Sequence, residues 1–443
     1  MELLDKLKTA GIIGAGGAGF PTHVKLNSKA DFILLNGAEC EPLLRVDQQL
    51  MEFYPEQIIS GLVMAGDIVE AKKAIIGIKV KHKDVIDILN NTIEKMGLTE
   101  KVIVGELPDV YPAGDEQVLV YELTGRVVPE LGIPIAVGCV VVNAETALNI
   151  YRASKDKPVT MKYVTVAGDV PNPVTVRVPV GTPIRKLLEL SGRGDLTGYA
   201  VIDGGPMMGP LLKDPDGFIT KKSKGLVVLP DDHSLIMHKK REMKSAIRLN
   251  RSACEQCSMC TDMCPRHLLG HGTSPHKMVR AMAYSAEIDE NVSVAQTCCQ
   301  CNLCEYFSCP AGINPKMANV YFMTKTREAK IKYQPSGEPY KPNPNRDYRM
   351  VPSKRLIARI GIRKFDQPAP LDINSTMDTD IVGIHVDSHV GAPASPMVQV
   401  GDMVTEGQMI ANVPEGAMGA AVHASISGQV EAIGDGIITI RRK

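Results

Sequence analysis

Nine of the chain's eleven cysteines fall between Cys254 and Cys309, in two runs that each end in Cys-Pro. The first holds Cys254, Cys257, Cys260 and Cys264-Pro265, the spacing C-x2-C-x2-C-x3-C-P. The second holds Cys298, Cys299, Cys301 and Cys304, with four residues between Cys304 and Cys309-Pro310. Three thiolates at two-residue spacing can wrap one face of a cubic iron-sulfur cluster, and a fourth from a distant run closes it. Where two clusters share such runs, the Cys before Pro serves the other cluster. The spacing therefore assigns two [4Fe-4S] clusters, one on Cys254, Cys257, Cys260 and Cys309, the other on Cys298, Cys301, Cys304 and Cys264. Structural zinc rarely uses three cysteines at this spacing followed by Cys-Pro. Cys299 is surplus. It could replace Cys298 only by breaking the two-residue spacing, so it reads as a packed thiol or a redox liability.

A second stretch with chemical potential runs from Gly11 to Leu26. Gly14, Gly16 and Gly19 satisfy G-x-G-x-x-G, and Glu39 lies twenty residues beyond Gly19, which raises a dinucleotide fingerprint. Pro21 argues against it, because it would sit in the early turns of the helix that the fingerprint requires and remove a backbone donor. The glycines instead suit a loop whose bare N–H groups approach a phosphate, with Lys25 as charge partner. Further acidic groups follow at Glu39 and Glu41, and at Asp115 and Glu116 in a second loop beginning at Tyr111.

The elements that would position these groups can be read around them. Asp31–Asn36, Ala74–Val80, Lys101–Val104 and the run from Val140 read as strands between helical stretches, so residues 1–155 form an α/β unit. From Lys162 the pattern changes to strands at Tyr163–Gly168 and Val174–Pro179, then a helix from Pro183 to Leu190. Pro335, Pro339, Pro342 and Pro344 mark a stiff connector, and the last 60 or so residues alternate short strands with Gly turns. His267, His271 and His276 lie between the cysteine runs, where surface or capping roles suit them because the cysteines already complete both clusters. Lys221–Lys224 and Lys239–Arg241 read as solvated faces. Met207 and Met208 read as core, Cys139 as a small buried hydrophobe, and Leu3, Leu4 and Leu7 as one face of a short helix.

Composition narrows the class. A formal net charge of zero gives no electrostatic argument for nucleic acid or an anionic membrane. The charged N-terminus lacks a secretory h-region. The longest apolar run, Leu131–Val142, holds Pro134 and Gly138 and is short of the ~20 residues a membrane span needs. A cytoplasmic chain without a transmembrane segment is expected, its cysteines serving metal rather than disulfides.

Four segments, Gly14 to Lys25, Asn36 to Pro42, Tyr111 to Gln117 and Val142 to Thr146, resemble in order the flavin and NADH loops of the complex I flavoprotein subunit and of RnfC. The resemblance implies a Rossmann-like domain in which Gly14, Gly16, Gly17, Gly19 and Lys25 cradle the FMN phosphate. It implies that Asn36, Asn143 and Thr146 hold the flavin and that Glu39, Glu41 and Glu116 lie towards NADH. Two departures stand out: Ala15 where complex I has an arginine, and Ala38 where it has an aspartate. The strands after Lys162, with Asp203–Gly209, are similar to the β-grasp (SLBB) domain that follows the flavin domain in those families. The C-terminal strands are similar to a barrel-sandwich hybrid, the shape of lipoyl carriers. The tip Pro414–Ala420 has no lysine to modify, which leaves a structural or docking role.

These resemblances imply a multidomain α/β and α+β chain: 1–155 FMN/NADH domain, 156–236 SLBB domain, 237–332 two-cluster ferredoxin-like helical domain, 333–370 Pro-rich linker, 371–443 barrel-sandwich hybrid. The order, with the barrel-sandwich segment last, is similar to the PduS-like cobalamin reductases of propanediol-utilisation microcompartments. That family implies electrons passing from NADH through FMN and the two clusters to cobalamin, cob(III)alamin towards cob(I)alamin, with no side chain needed as a catalytic acid or base. It also implies a cobalamin adenosyltransferase and shell proteins as partners. Two other classes compete: an RnfC-like input subunit of a membrane ion-translocating complex, and a non-enzymatic electron-transfer or scaffold module.

Overall fold

Four parallel strands form the N-terminal sheet in the order Val102–Leu107, Lys73–Lys79, Phe32–Asn36, Cys139–Asn143. The computed structural model describes residues 2–335, 337 and 339–443; Met1, Ser336 and Glu338 lie outside the described residues, the last two inside the expected 333–370 connector. Successive side chains of a strand point to opposite faces, and here both faces are apolar. Ile33 and Leu35 enter one core with helices Val46–Phe53, Pro55–Ile68 and Ala144–Ser154. Leu34, Ile75 and Val141 enter another, beneath helix Glu116–Thr124. Parallel sheets are covered on both sides in this way. Pro55–Ile68 and Ala144–Ser154 cross closely because of Gly61, where a Cβ would lie 1.9 Å from Ala147 O.

The second sheet has the order Val174–Pro179, Met161–Gly168, Gly225–Pro230, Tyr199–Asp203, with Met161–Gly168 antiparallel to the first of these and parallel to Gly225–Pro230. Helix Ile184–Leu190 packs Leu187 and Leu188 onto one face, against Val164, Val166 and Val228. The other face turns Tyr163 and Ala167 towards neighbouring units. The two sheets are also tied by a buried ion pair, Lys162 with Glu145.

Helices Met243–Ala253, Pro275–Ala283 and Pro315–Glu328 form the third unit around Met278, Val279, Met282 and Phe322. Both cysteine runs border this unit. The segment read as a stiff connector folds in its second half: Val351–Pro352 pairs with Val110–Tyr111, and helix Ser353–Arg359 buries Leu356 and Ile357. Ile360, Ile362 and Phe365 complete an apolar wedge shared with Leu43, Leu229 and Leu303. The prolines stiffen only its start; the apolar residues after Met350 have a core to enter.

Two small sheets close the chain. Ile381–His385, Ile437–Arg441, Gly428–Gly434 and Met403–Val404 form one; Ser395–Pro396, Met409–Asn412 and Val422–His423 form the other. Val382, Ile384, Ile410, Val422, Ile438 and Ile440 fill the space between. Among the described residues no helix is long and apolar enough to cross a membrane.

Candidate functional site

The glycine loop is closed at its base by an Ile13–Pro21 bridge and by Gly14 N–H donating to Phe20 O at 2.9 Å. Gly16 and Gly19 take φ of +84° and +77°, the left-handed region that favours glycine. Ala15 N–H donates to Thr146 Oγ1 at 3.1 Å, so the loop rests on the first turn of helix Ala144–Ser154. Among the described residues the N–H groups of Gly16, Gly17, Ala18 and Gly19 have no hydrogen-bond partner. The residues 16–18 are exposed. Consecutive bare N–H groups near a helix start form an anion-binding concavity, so the loop fits a phosphate. The chain turns from this loop into the short helix Thr22–Leu26 instead of a long fingerprint helix, in keeping with Pro21 at its N-cap.

Below the loop, Asn36 and Asn143 are register partners at the C-terminal ends of adjacent parallel strands. The next strand after Phe32–Asn36 lies on its other side. Open α/β sheets bind ligands where strand order reverses in this way. Asn36 Nδ2 donates to Gly114 O at 2.8 Å and its Oδ1 accepts from Ala38 N–H, while Asn143 makes no capping bond.

Four charged residues expected at the phosphate and NADH make contacts within the protein. Lys25 is bonded to Glu116 at 2.8 Å, joining the expected phosphate and NADH partners to each other. The Glu41 carboxylate accepts from Met207 N–H at 2.8 Å and Met208 N–H at 2.9 Å. It therefore ties the first sheet to the Gly204–Gly209 turn, and burial pushes its pKa up despite those bonds. Glu39, at φ +33°, accepts from Asp47 and Gln48 N–H at the start of a helix, leaving Oε1 without a hydrogen-bond partner. Burial, then Asp47, raises its pKa. Beside it opens a cavity of about 560 Å³ lined in part by Glu39, Glu41, Arg45, Lys79, Lys81 and His82. Burial and the two lysines push His82 down to about 4.

Of the lysines read as solvated faces, Lys221, Lys224 and Lys239 are drawn into the structure, whereas Lys240 is exposed and pairs with Asp231. Lys221 is 6% exposed and donates to Gly11 O at 2.8 Å and Ala421 O at 2.9 Å. Lys224 pairs with Asp47 and lies 3.9 Å from Glu39. Burial alone would lower its pKa, but those carboxylates outweigh it and hold the ammonium above its usual range. Lys239 donates to Gly209 O at 2.6 Å, and burial takes it down to about 8. Arg241 donates to Asn314 Oδ1 at 2.7 Å. These charges meet carbonyls and carboxylates of other units, which a charge run cannot reveal. Met207 is fully buried as expected and Met208 is 55% exposed.

The two cysteine runs repeat one backbone pattern. Gln256 and Ser258 take positive φ, and so do Gln300 and Asn302, at equal offsets from Cys254 and Cys298. Cys260 to Cys264 spans an α-turn, whereas the longer Cys304 to Cys309 interval winds as a π-turn. The extra residue is absorbed in that wider turn. Cys254, Cys257, Cys260 and Cys309 wall one small pocket with Val279 and Ile313. Burial, then Cys309, Cys257 and Cys254, push the Cys260 thiol up to about 12. In the other group burial, then Cys299 and Cys264, push Cys298 up to about 12, and Cys264 also lies within the field of Cys301 and Cys304. Among the described residues no group of three or more His, Cys, Asp or Glu is gathered as for a metal ion. Four thiolates on a cubic cluster bind four different irons, so they stand wider than around one ion. The thiols present fit such clusters.

Residues outside the sequence expectation join the two sites. The buried Tyr111 hydroxyl donates to Cys301 O at 2.7 Å. Asp115 caps helix Glu116–Thr124 and pairs with Arg266 at 2.9 Å, beside Cys264-Pro265. His271 is buried with Nε2 2.9 Å from Val128 O, contrary to a surface role, because Glu130 draws its segment in by accepting from Gly272 N–H. His276 Nδ1 meets Thr261 Oγ1 at 2.7 Å.

Comparison with known families agrees with this layout. Residues 7–152 match the Nuo51 FMN-binding domain, 163–211 the SLBB domain, 253–314 a 4Fe-4S dicluster domain and 365–442 the RnfC barrel sandwich hybrid domain. The chain is 35% identical over 58% of its length to one component of a Na+-translocating ferredoxin:NAD+ oxidoreductase complex of Acetobacterium woodii, covering 56% of that protein. It is 41% identical to the cobalamin reductase PduS of Citrobacter freundii, over 99% of this chain and 96% of that one. Identity to the cobalamin reductase PduS of Salmonella typhimurium is also 41%, over 100% of this chain and 96% of its relative. The chain belongs to the family of the cobalamin reductase PduS.

Proposed function

We propose that this chain takes electrons from NADH and passes them to cobalamin, with FMN in the glycine-loop crevice and two [4Fe-4S] clusters on the cysteine runs. The observation that carries the reading is the crevice itself: paired Asn36 and Asn143 at the strand-order reversal, under a loop with four unpartnered N–H groups. A flavin accepts the two electrons of a hydride and hands them on singly to iron-sulfur clusters.

The protein's part is binding and positioning. Gly16 to Gly19 hold a phosphate with their N–H groups, and Thr146 fixes the loop through Ala15. Asn36 and Asn143 present amides to the ring, and Glu39 lines the open cavity with Oε1 unbonded but 3.9 Å from the Lys224 ammonium. Tyr111 holds the second cysteine run against the first sheet. Cys254, Cys257, Cys260 and Cys309 ligate one cluster, and Cys264, Cys298, Cys301 and Cys304 the other. No group acts as a nucleophile. In the same reading the chain works inside a bacterial microcompartment, supplying reduced corrin to a cobalamin adenosyltransferase.

Anaerobic stopped-flow with NADH and hydroxocobalamin tests this. Rapid bleaching of flavin and cluster absorbance, followed by loss of the cob(III)alamin spectrum, is expected. Bleaching with cobalamin left oxidised, with or without the adenosyltransferase, removes the acceptor assignment; no bleaching removes the whole reading.

A further inference from the structure

We infer that the ammonium group facing the flavin phosphate comes from Lys222, not from Lys25. This rests on the reading above that the glycine loop holds the phosphate of FMN.

Lys25 is spent on Glu116 at 2.8 Å. Its charge is neutralised by a partner on the helix that follows the Tyr111 loop. The turn Thr220–Lys224, just before the strand Gly225–Pro230, instead reaches across to the loop. An ideal Cβ at Gly19 would lie 2.8 Å from Lys222 Cδ, and one at Gly16 would lie 2.7 Å from Lys224 Cδ. The two lysine stems therefore run directly over the two left-handed glycines. Any side chain at either glycine would displace a lysine as well as strain the backbone.

The two ammonium groups differ in what they meet. Lys224 pairs with Asp47 and is further compensated by Glu39. Lys222 makes none of the ion pairs among the described residues; Asp203 and His389 lie within its field but not at bonding distance. Of the three lysines around the loop, Lys222 is the one whose charge is left for an anion.

The turn that carries it is held in place. Ser223 Oγ accepts from Thr220 N–H at 3.1 Å, and Lys222 N–H donates to Thr220 Oγ1 at 3.2 Å. Lys221 points the opposite way, pinning the turn to Gly11 O and to Ala421 O of the C-terminal sandwich. That sandwich also touches the loop, since Val390 N–H donates to Gly19 O at 3.0 Å. The C-terminal sandwich braces the phosphate loop through Val390. The pocket is thus assembled from three distant parts of the chain, and its cation comes from the second of them.

The test is equilibrium binding of FMN and of riboflavin to the full-length, cluster-loaded protein stripped of flavin, followed by fluorescence quenching. Riboflavin lacks the phosphate, so it separates loss of a charge partner from loss of the pocket. Lys222→Gln is expected to weaken FMN on the order of 10- to 100-fold while leaving riboflavin within about twofold. Lys222→Arg is expected to recover most of the affinity, and Lys25→Gln to cost less than about threefold. The inference is overturned if Lys222→Gln binds FMN like the unaltered chain, if it loses FMN and riboflavin equally, or if Lys25→Gln is the more damaging change. If the unaltered chain takes up no FMN, the reading beneath the inference fails with it; the other outcomes leave that reading standing.

Discussion

The cysteine runs and the glycine-loop crevice are built on opposite plans. Every thiol assigned to a cluster lies between residues 254 and 309, and the two runs repeat the same alternation of positive-φ residues. The crevice instead draws on Gly14–Gly19, Asn36, Asn143 and Thr146 in the first unit, Lys222 and Lys224 at the edge of the second, and Val390 in the last. Short-range ligand sets are written as spacing. Long-range ones exist only once sheets and turns have packed, so their stability is part of their chemistry.

The strongest way to break the comparison is to remove the one long-range element of the cysteine region. Cys264→Ser and Cys309→Ser should each abolish one cluster and leave the other, halving iron content and removing one of two EPR signals. Cys264→Ser should remove the same EPR signal as Cys298→Ser, and Cys309→Ser the same signal as Cys254→Ser; the reverse matching would show that ligands do not cross between runs. FMN uptake should survive both changes, because the Tyr111 hydroxyl bonds to a backbone carbonyl and not to a thiol.

In the crevice region the corresponding stress falls on contacts between units. Glu145, 2% exposed, pairs with Lys162, 1% exposed. Glu145→Gln leaves a buried ammonium without its counter-ion, and such losses typically cost about 3–5 kcal/mol. Chemical denaturation should show that destabilisation, with FMN affinity falling as Thr146 and the loop above it lose their footing. The double change Glu145→Gln with Lys162→Met should restore much of the stability. If the single change costs under about 1 kcal/mol, the joint between the two sheets is not carried by this pair.

The same contrast explains what could be read from the sequence. Spacing sufficed for the clusters, because the turns between cysteines are local; even the longer Cys304–Cys309 interval is resolved locally, by a π-turn. Strands such as Phe32–Asn36 were legible from their apolar run. The carboxylate of Glu41 was not, since its partners are backbone N–H groups of Met207 and Met208 on another sheet. The run Lys221–Lys224 reads as a solvated face because the partners of Lys221, Gly11 O and Ala421 O, and of Lys224, Asp47, lie far away in sequence. The wedge Leu356–Phe365 was hidden behind the prolines that precede it.

Lys221 offers a finer probe of the long-range plan through pH. Burial takes its pKa from 10.5 down to about 7. An unfolded chain then binds a proton that the folded chain releases, so stability rises with pH between about 7 and 10.5. Across pH 7 to 9 the gain from this group alone is roughly 2 kcal/mol. Comparing denaturation midpoints of the unaltered chain and Lys221→Met over that range should show the rise only in the former. Equal slopes would mean that Lys221 keeps its proton when folded, and that the brace between Gly11 and Ala421 is an ionic one.

The smallest effect is expected at Cys299, where the local plan makes its sharpest claim. Cys298 and Cys299 are adjacent, and chemistry alone does not choose between their thiols. The backbone does: positive φ at Gln300 and Asn302 falls at the offsets from Cys298 that Gln256 and Ser258 hold from Cys254, and Gln300 N–H donates to Cys298 Sγ at 3.4 Å. An N–H aimed at sulfur favours the thiolate that a cluster needs. Cys299 borders the apolar wedge near Leu303 and Tyr306, as Cys301 also does, and a hydrogen bond with the Cys301 thiol lowers its pKa. Cys299→Ala should therefore keep full iron content and both EPR signals, with a stability change under about 1 kcal/mol. Cys298→Ala should lose one cluster. If Cys299→Ala loses iron and Cys298→Ala does not, the backbone repeat does not select the ligand, and the second run binds its cluster by a spacing different from the first.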